Sequence, residues 1–218
     1  MPTKHPFDPV LRSDDEVLQI VYRLYQLTQL LNQIQQTAAT SIGLTPLQGR
    51  CLLFLRHSRT GACTIFYLTK ELGVSQATVS GAVESLIKKG LLYKIPSAED
   101  LRIKRLHLTG KGQEYCGQLQ TWADPVINLL RAMQPADIGR LSKGLEGLTA
   151  DLRYAELLTV PEVCCTCGFC RLHQGPNPET PHWCNLLDIG LSPVDALKQC
   201  PEHTVSAFPR GLTVSGAS

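Results

Sequence analysis

The sequence predicts a mainly α-helical protein with one β-hairpin and a small cysteine-rich C-terminal region. Three observations support this fold class. Apolar residues recur every three or four positions over most of the first 155 residues, which is the period of amphipathic helices. One short segment after Gly90 alternates between apolar and polar residues instead, as strands do. Six of the nine cysteines lie in the last quarter of the chain.

The first predicted helix is long and amphipathic. Ser13 and Glu16 have the spacing of a capping box, which marks a helix start. Behind them, apolar residues recur at helical spacing to about Thr40, and this stripe is close to a heptad seam that packs against another chain. Residues 1–12 hold three prolines and predict an irregular N-terminal arm.

The next three helices have clear end signals. Thr45-Pro46-Leu47-Gln48 begins the second helix with a capping threonine and a proline at the first helical position. A third helix is predicted roughly from Ile65 to Leu72, where Gly73 stops it. Ser75 caps a fourth helix that ends at Gly90. Two helices joined by a short glycine-containing turn are typical of a helix-turn-helix.

A β-hairpin with a basic tip is predicted after the fourth helix. Apolar and polar residues alternate on both sides of a connection that contains Pro96, Ser97 and Asp100. Helices followed by a hairpin in this order predict a winged helix-turn-helix.

The remaining helices resemble the first one. One is predicted from about Lys111 to Met133 with a kink or break at Asp124-Pro125, and Pro135 begins another with a second apolar seam. These long N- and C-terminal helices are predicted to be dimerisation helices. The predicted domains are an arm at 1–12, a winged helix-turn-helix and dimerisation domain at 13–158, a cysteine-rich metal-binding region at 159–204 and a tail at 205–218.

Charge is distributed unevenly along the chain. Residues 1–155 hold 18 Lys and Arg against 13 Asp and Glu, whereas residues 156–218 hold 3 against 6. The basic part therefore suits a polyanion such as DNA. No apolar run approaches the roughly 20 residues that cross a bilayer, and the N-terminus lacks the apolar core of a signal peptide. We therefore expect a cytoplasmic protein with no membrane partner.

Several motifs resemble the MarR family of bacterial winged-helix repressors over about residues 13–155. They are Leu44-Thr45-Pro46-Leu47-Gln48, the segment 72–80, Leu86, Lys89-Gly90-Leu91-Leu92, Asp100-Leu101-Arg102 and Leu108-Thr109-Gly110-Lys111-Gly112. The resemblance implies an all-α homodimer with one β-wing per subunit. It also implies a recognition helix in the major groove of double-stranded DNA and a wing over the minor groove.

The fourth helix and the wing supply the candidate DNA-binding residues. They are Ser75, Gln76, Thr78, Ser80, Lys88, Lys89, Arg102, Lys104 and Arg105. Gln pairs with adenine edges and Ser or Thr with several bases, whereas Lys at the far end of the helix suits the backbone and Arg a narrow minor groove. The alternative is a solvated basic face. After Ser80 many members of this family carry a basic residue, whereas this chain continues with Gly81-Ala82-Val83-Glu84. The carboxylate of Glu84 would repel phosphate and argues against base readout by the middle of the helix.

The cysteine region is similar to an extension carried by a subgroup of these regulators. That resemblance implies the metal ligands Cys164, Cys167, Cys184 and Cys200, with Cys165 and Cys170 as alternates. Four thiolates suit an iron–sulfur cluster or zinc. The spacing of Cys164, Cys167 and Cys170 with a remote Cys200-Pro201 resembles bacterial ferredoxins and favours iron–sulfur, with zinc as the alternative. His182 and His203 are possible substitute ligands or surface imidazoles.

Together these features predict a dimeric regulator that binds an inverted-repeat operator and senses redox state or iron through a cysteine-ligated iron–sulfur centre. One alternative is a regulator that responds to a small ligand, with structural zinc and with Tyr22, Tyr25 and Trp122 near its cleft. Another is an iron–sulfur redox protein. An enzyme is not predicted, because the chain shows no paired carboxylates, nucleophile elbow or glycine-rich phosphate loop.

Overall fold

The computed structural model describes residues 5–97, 101–155, 157, 162–200 and 202–204. The helices of these residues are α1 (Pro9–Ser13), α2 (Glu16–Ser41), α3 (Pro46–His57), α4 (Ile65–Leu72), α5 (Gln76–Lys88), α6 (Gly110–Gln120), α7 (Asp124–Arg131), α8 (Pro135–Tyr154) and α9 (Pro193–Ala196). The strands are β1 (Leu92–Pro96), β2 (Lys104–Leu108), β3 (Glu162–Val163), β4 (Cys170–Arg171), β5 (His182–Cys184), β6 (Ile189–Leu191) and β7 (Gln199–Cys200). The described part of the chain is therefore mainly helical, with small antiparallel sheets, as predicted.

The start of α2 differs from the prediction. Asp15, not Ser13, caps this helix, and its carboxylate accepts hydrogen bonds from the backbone of Val17 and Leu18. Ser13 instead ends the short helix α1, which Asp8 caps. Aspartate caps helices as well as serine does, and Asp15 directly precedes the apolar stripe. The predicted irregular arm is therefore partly helical.

The helix-turn-helix follows its end signals closely. The capping box at Thr45 and Gln48 is present with both of its hydrogen bonds, and Ser75 caps α5 through the backbone N–H of Thr78. Gly73 ends α4 in the left-handed conformation, with φ of 64°. Leu52, Leu68, Val79, Val83 and Leu86 are fully buried where α3, α4 and α5 meet. These residues hold α5 at a fixed angle to the rest of the domain.

Three cysteines outside the cysteine-rich region belong to this core. Cys51, Cys63 and Cys116 are all buried. Burial raises the pKa of Cys51 to about 12 and those of Cys63 and Cys116 to about 11. These thiols stay protonated at neutral pH and behave as small apolar side chains.

The wing is the antiparallel hairpin of β1 and β2. Leu92 pairs with Leu108 at its base, and Pro96 pairs with Lys104 near its tip. Asp100, which was predicted in the connection, lies outside the described residues. At the base of the wing, Gly112 lies so close to the chain that a β-carbon there would be 2.1 Å from the carbonyl oxygen of Leu91.

The predicted helix break occurs earlier than expected. The chain leaves α6 through a 3₁₀ turn at Thr121–Ala123, and Asp124 begins α7 with Pro125 in its first turn. A proline ring clashes with the carbonyl four residues before it, so the helix must end before the proline rather than at it. A second helix, α8, then begins at Pro135 as predicted.

The cysteine-rich region packs against the loop that follows α3. Strand β3 pairs with β7, and strands β4, β5 and β6 form a second small sheet. Ser192 caps the short helix α9. Ser58 forms a β-bridge with Gln199, and this bridge joins the region to the winged helix. The predicted boundary at 158–159 and the tail at 205–218 lie outside the described residues.

Candidate DNA-binding surface and cysteine cluster

The N-terminus of α5 presents short polar side chains. Ser75, Gln76 and Thr78 are exposed, and Ser80 is half-buried. The hydroxyl of Ser75 accepts from the Thr78 backbone at 3.2 Å and lies 2.8 Å from the Thr78 hydroxyl. Free N–H groups and partial positive charge at a helix N-terminus favour phosphate. The predicted DNA-binding residues of this helix therefore lie at the end that is better suited to bind an anion.

Glu84 is paired with the wing. Its carboxylate lies 2.5 Å from the ammonium group of Lys94 on β1. The hydrogen bond and charge of Lys94 lower the pKa of Glu84, so the pair is formed at neutral pH. Lys94 offsets the negative charge that the sequence analysis counted against DNA binding. No local sequence pattern marks this contact, because its two partners belong to different elements.

The two lysines at the end of α5 have different surroundings. Lys88 is exposed. Lys89 donates to the carbonyl oxygen of Gly43 at 2.7 Å and to the side-chain oxygen of Gln48 at 3.0 Å. Gln48, which is buried, also donates to Ser85 at 2.9 Å. Lys89 and Gln48 thus fasten α5 to the start of α3, a structural role that the sequence analysis did not assign to either.

The basic residues of the wing are spread over its tip and one strand. Arg102 and Lys104 are exposed, and Arg105 is half-buried. Arg102 and Arg105 both take part in further interactions within the chain. Arg105 also lines a cavity of about 540 Å³ between the wing and the cysteine-rich region. Arg102 and Lys104 are thus the more accessible of the three.

Four cysteines converge in the C-terminal region. Cys164, Cys184 and Cys200 are buried together, and Cys170 packs against them. Cys170 is the cross-strand partner of Cys184 on the paired strands β4 and β5. The side chain of Cys165 lies outside the described residues. Cys167 is half-buried and is not among the described residues that pack on this group, which we call the cysteine cluster (Cys164, Cys170, Cys184 and Cys200). The structure thus brings three of the four predicted ligands together with one of the alternates.

An arginine from the winged helix enters the cysteine cluster. Arg59 donates to the sulfur of Cys200 at 3.0 Å and to that of Cys164 at 3.7 Å. A hydrogen bond with Cys164, together with this guanidinium, lowers the pKa of Cys200, and the same hydrogen bond raises the pKa of Cys164. Negative charge is therefore most stable on the sulfur of Cys200.

The cysteine cluster has the ligand chemistry of a metal centre but not yet its geometry. Cysteine sulfurs are the soft ligands that zinc and iron–sulfur centres require. Among the described residues, however, no three His, Cys, Asp or Glu side chains stand in a metal-binding arrangement. Metal binding stays a prediction, and it requires the sulfurs to close around the ion while Arg59 keeps its place as a donor beside them.

The two candidate histidines have other contacts. The Nδ1 of His182 accepts from the backbone of His173 at 3.1 Å, and His182 is buried. The Nε2 of His203 lies 3.0 Å from the hydroxyl of Thr166. Either ring helps to fix the loops beside the cysteine cluster.

A second cavity, of about 340 Å³, lies between α2, α3 and α6. Trp122 lines it, together with Gln35 and Arg50. Tyr22 and Tyr25 are not among its lining residues and pack instead around Phe7. Of the three aromatic residues considered for a small-ligand cleft, the described structure places only Trp122 there. None of the described helices is long and apolar enough to cross a membrane.

Comparison with known proteins supports the resemblance in the first part of the chain. A family model described as the MarR family matches residues 42–103, which is less than a third of the chain. No curated protein matches this chain. The match runs from the turn before α3 to the wing, so it covers α5 and most of the candidate DNA-binding residues.

Solved structures show where the fold is similar. A complex of MepR from Staphylococcus aureus with DNA is 21% identical over 61% of this chain and 97% of that chain, with a TM-score of 0.51. MepR alone, described as a transcription regulator of the S. aureus multidrug efflux pump MepA, is 20% identical over the same shares with a TM-score of 0.51. At these identities the likeness shows the fold of the winged-helix part. It does not extend to the whole of the cysteine-rich region.

Proposed function

We propose that this protein is a DNA-binding transcription regulator of the MarR type. The observation that carries the proposal is the exposed N-terminus of α5, which stands beside a basic wing in a winged-helix fold. Glu84 and Lys94 join these two elements, so they would meet DNA as one surface. The family match over 42–103 and the fold shared with MepR, which has been solved with DNA, support the same reading.

The protein would act as a homodimer on an inverted-repeat operator. Helix α2 has 26 residues, of which only Ala39 is buried. Large apolar side chains are exposed on α2, α7 and α8, among them Val17, Leu27, Leu129, Leu141 and Leu145. Contiguous exposed apolar surface marks an interaction site, and a second copy of the chain offers the matching surface.

The cysteine cluster would hold an iron–sulfur centre that senses redox state or iron, with zinc as the alternative. Thiolates supply the soft ligands that both require. A bound centre would supply order to a region whose own core is small. The winged-helix fold makes an iron–sulfur redox protein the less supported alternative.

Small-ligand control is the second candidate. The cavity beside Trp122 is mostly apolar, with a few polar groups from Gln35, Gln36 and Arg50. Such cavities between elements are common ligand sites. In this alternative the cysteine cluster would hold structural zinc and the ligand would set operator affinity.

Two measurements test the proposal. Selection of the full-length protein against a random duplex library should enrich inverted repeats whose half-sites lie about 10 base pairs apart, because a symmetric dimer reads two turns of one face. Light scattering should give twice the mass of one chain. A stable monomer that enriches no sequence would contradict the proposal.

Metal analysis of anaerobically purified protein tests the centre. A brown protein with visible absorbance and bound iron supports the iron–sulfur hypothesis. A colourless protein with one zinc per chain supports the alternative, and a protein with neither metal contradicts both.

A further inference from the structure

Arg59 is a buried cation with no carboxylate partner among the described residues. Only 8% of its surface is exposed, and the ion pairs found in the described part of the chain do not include it. An arginine cannot lose its proton in a protein, and a buried charge must be compensated. Its side-chain partners are the sulfurs of Cys164 and Cys200, and Cys184 also hydrogen-bonds to it. The guanidinium therefore lies among the cysteine sulfurs that are proposed to hold the metal.

The loop that carries Arg59 touches both regions of the molecule. On one side, the backbone N–H of Arg59 donates to the carbonyl oxygen of Gln199 at 3.2 Å, next to Cys200. On the other side, the thiol of Cys63 donates to the carbonyl oxygen of Arg59 at 3.4 Å. The backbone N–H of Leu106, in the middle of β2, donates to the carbonyl oxygen of Cys63 at 2.7 Å.

We propose that Arg59 couples the cysteine-bound metal centre to the wing. In this arrangement the guanidinium donates to the thiolate sulfurs of the centre, and its loop supports β2 through Cys63 and Leu106. The inference rests on the proposed metal centre and names the residue through which that centre would reach the DNA-binding surface. Arg59 is a positioning residue, because it would contact the ligands rather than the metal itself.

The coupling follows from what holds the guanidinium in place. When four thiolates surround an ion, their sulfurs stay together and present a concentrated negative charge to Arg59. Hydrogen bonds to the sulfurs also stabilise such centres. When the ion is removed, strand pairing still holds the cysteines near one another, but the concentrated negative charge is lost, and Arg59 loses the strongest of the contacts that position residues 58–63. The wing then samples more conformations, which weakens its contact with DNA.

Hydrogen exchange at β2 tests this inference in the full-length protein. Chelation of the metal from the wild-type protein should speed exchange of the Leu106 amide by about 5- to 150-fold, the usual range of coupling between two sites. Arg59→Met should show this fast exchange while its metal is still bound, as metal analysis of the same sample confirms. Tyr67→Phe is the matched control: it breaks another contact between the regions, the hydrogen bond to Glu202, and should exchange like the wild type.

The outcomes separate this inference from the proposed function. If Arg59→Met holds metal and keeps wild-type exchange at Leu106, the coupling role is wrong while the metal centre stands. If wild-type protein holds no metal, the proposed centre is wrong and the inference falls with it. Arg59→Lys decides the case if the methionine variant does not fold. Lysine keeps the positive charge but has fewer hydrogen-bond donors than arginine. Exchange of the Leu106 amide in this variant should therefore lie between the rates of the metal-bound and the chelated wild-type protein. Exchange at the metal-bound wild-type rate would overturn the inference.

Discussion

The winged helix and the cysteine-rich region bury different kinds of residue. The core of the winged helix is built from aliphatic side chains such as Leu52, Leu68 and Val83, which are inaccessible to solvent. The small core of the cysteine-rich region consists mainly of thiols, with Leu191 and Ala196 beside them. The first region can fold by excluding water from apolar surface, whereas the second has few apolar side chains to bury and, in our proposal, is stabilised by a bound metal. One chain can thus combine a domain that folds on its own with a region that, in our proposal, becomes ordered only when its cysteines bind a metal.

Removing the proposed metal should have the largest effect, and it should loosen the cysteine-rich region far more than the winged helix, where we expect only local opening near β2. Structural metal sites of this kind contribute about 10–16 kcal/mol of apparent binding free energy to folding. Chelation, or Cys200→Ser, should make the cysteine-rich region sensitive to protease while the winged helix resists. Limited proteolysis with mass spectrometry measures this. Cys116→Ala, in the other core, is the control and should leave the metal content unchanged. Uniform resistance after metal loss would show that both regions are self-sufficient.

Measurement of metal content in single variants decides between Cys167 and Cys170 as the fourth ligand. The sequence resemblance implies Cys167, whereas the structure packs Cys170 against the cysteine cluster. From the packing we expect Cys170→Ser to lower metal content more than Cys167→Ser does. The reverse order would restore the assignment made from the sequence.

A cavity in the winged-helix core should destabilise that domain strongly. Leu52→Ala removes a fully buried side chain and should lower its free energy of unfolding by about 2–5 kcal/mol. Leu191→Ala, in the small core, should leave the unfolding of the winged helix almost unchanged. Thermal unfolding monitored by circular dichroism compares the two. Equal effects of both substitutions would mean that the two regions unfold as one unit.

Substitution in the wing should affect DNA and not folding. Arg102→Ala should weaken binding by about 1–3 kcal/mol if this side chain enters a groove, because the residue is exposed near the wing tip. Arg140→Ala on α8 removes another exposed arginine, away from the wing, and should not weaken binding. Fluorescence anisotropy with a selected duplex measures both. Unchanged affinity in the first variant would remove Arg102 from the DNA-contacting residues.

The smallest effect should come from Glu84. Glu84→Gln removes an exposed ion pair with Lys94 and one negative charge from α5, the proposed recognition helix, so it should raise DNA affinity slightly and lower thermal stability slightly. The pair lowers the pKa of Glu84, and its stabilisation is therefore present at neutral pH and lost only in acid. The difference in melting temperature between variant and wild type should shrink as pH falls through the carboxylate range. A difference that persists in acid would mean that the pair is not its source.

Local signals made the winged helix predictable. Thr45 and Gln48 form the expected capping box, Gly73 has the expected left-handed conformation, and Ser75 caps the helix it was assigned to. Each of these residues acts on backbone groups only a few positions away in the sequence. The two boundary errors, at Asp15 and at Thr121–Ala123, are also local, since competing caps and prolines shift a helix end without abolishing the helix.

The cysteine cluster was only partly predictable, because its decisive contacts are distant in sequence. Arg59 is 105 residues from Cys164 and 141 from Cys200, and nothing around Arg59 marks it as a partner for thiols. The preference for Cys170 over Cys167 in the described packing depends on the pairing of β4 with β5, which spacing alone does not reveal. Charge compensation between regions is a property of the folded chain rather than of any motif.

The close contact at Gly112 fixes the start of α6 against the base of the wing. Because a β-carbon there would collide with the carbonyl oxygen of Leu91, only glycine lets α6 start this close to the base of the wing. Helix α6 then extends about 12 Å beyond Gly112, at 1.5 Å per residue. The absence of a β-carbon at Gly112 therefore sets the position of the whole helix. A larger residue at Gly112 would displace α6, and the displacement would grow toward the far end of the helix. In the proposed dimer, the helices that follow α6 would then meet the second subunit at a different angle.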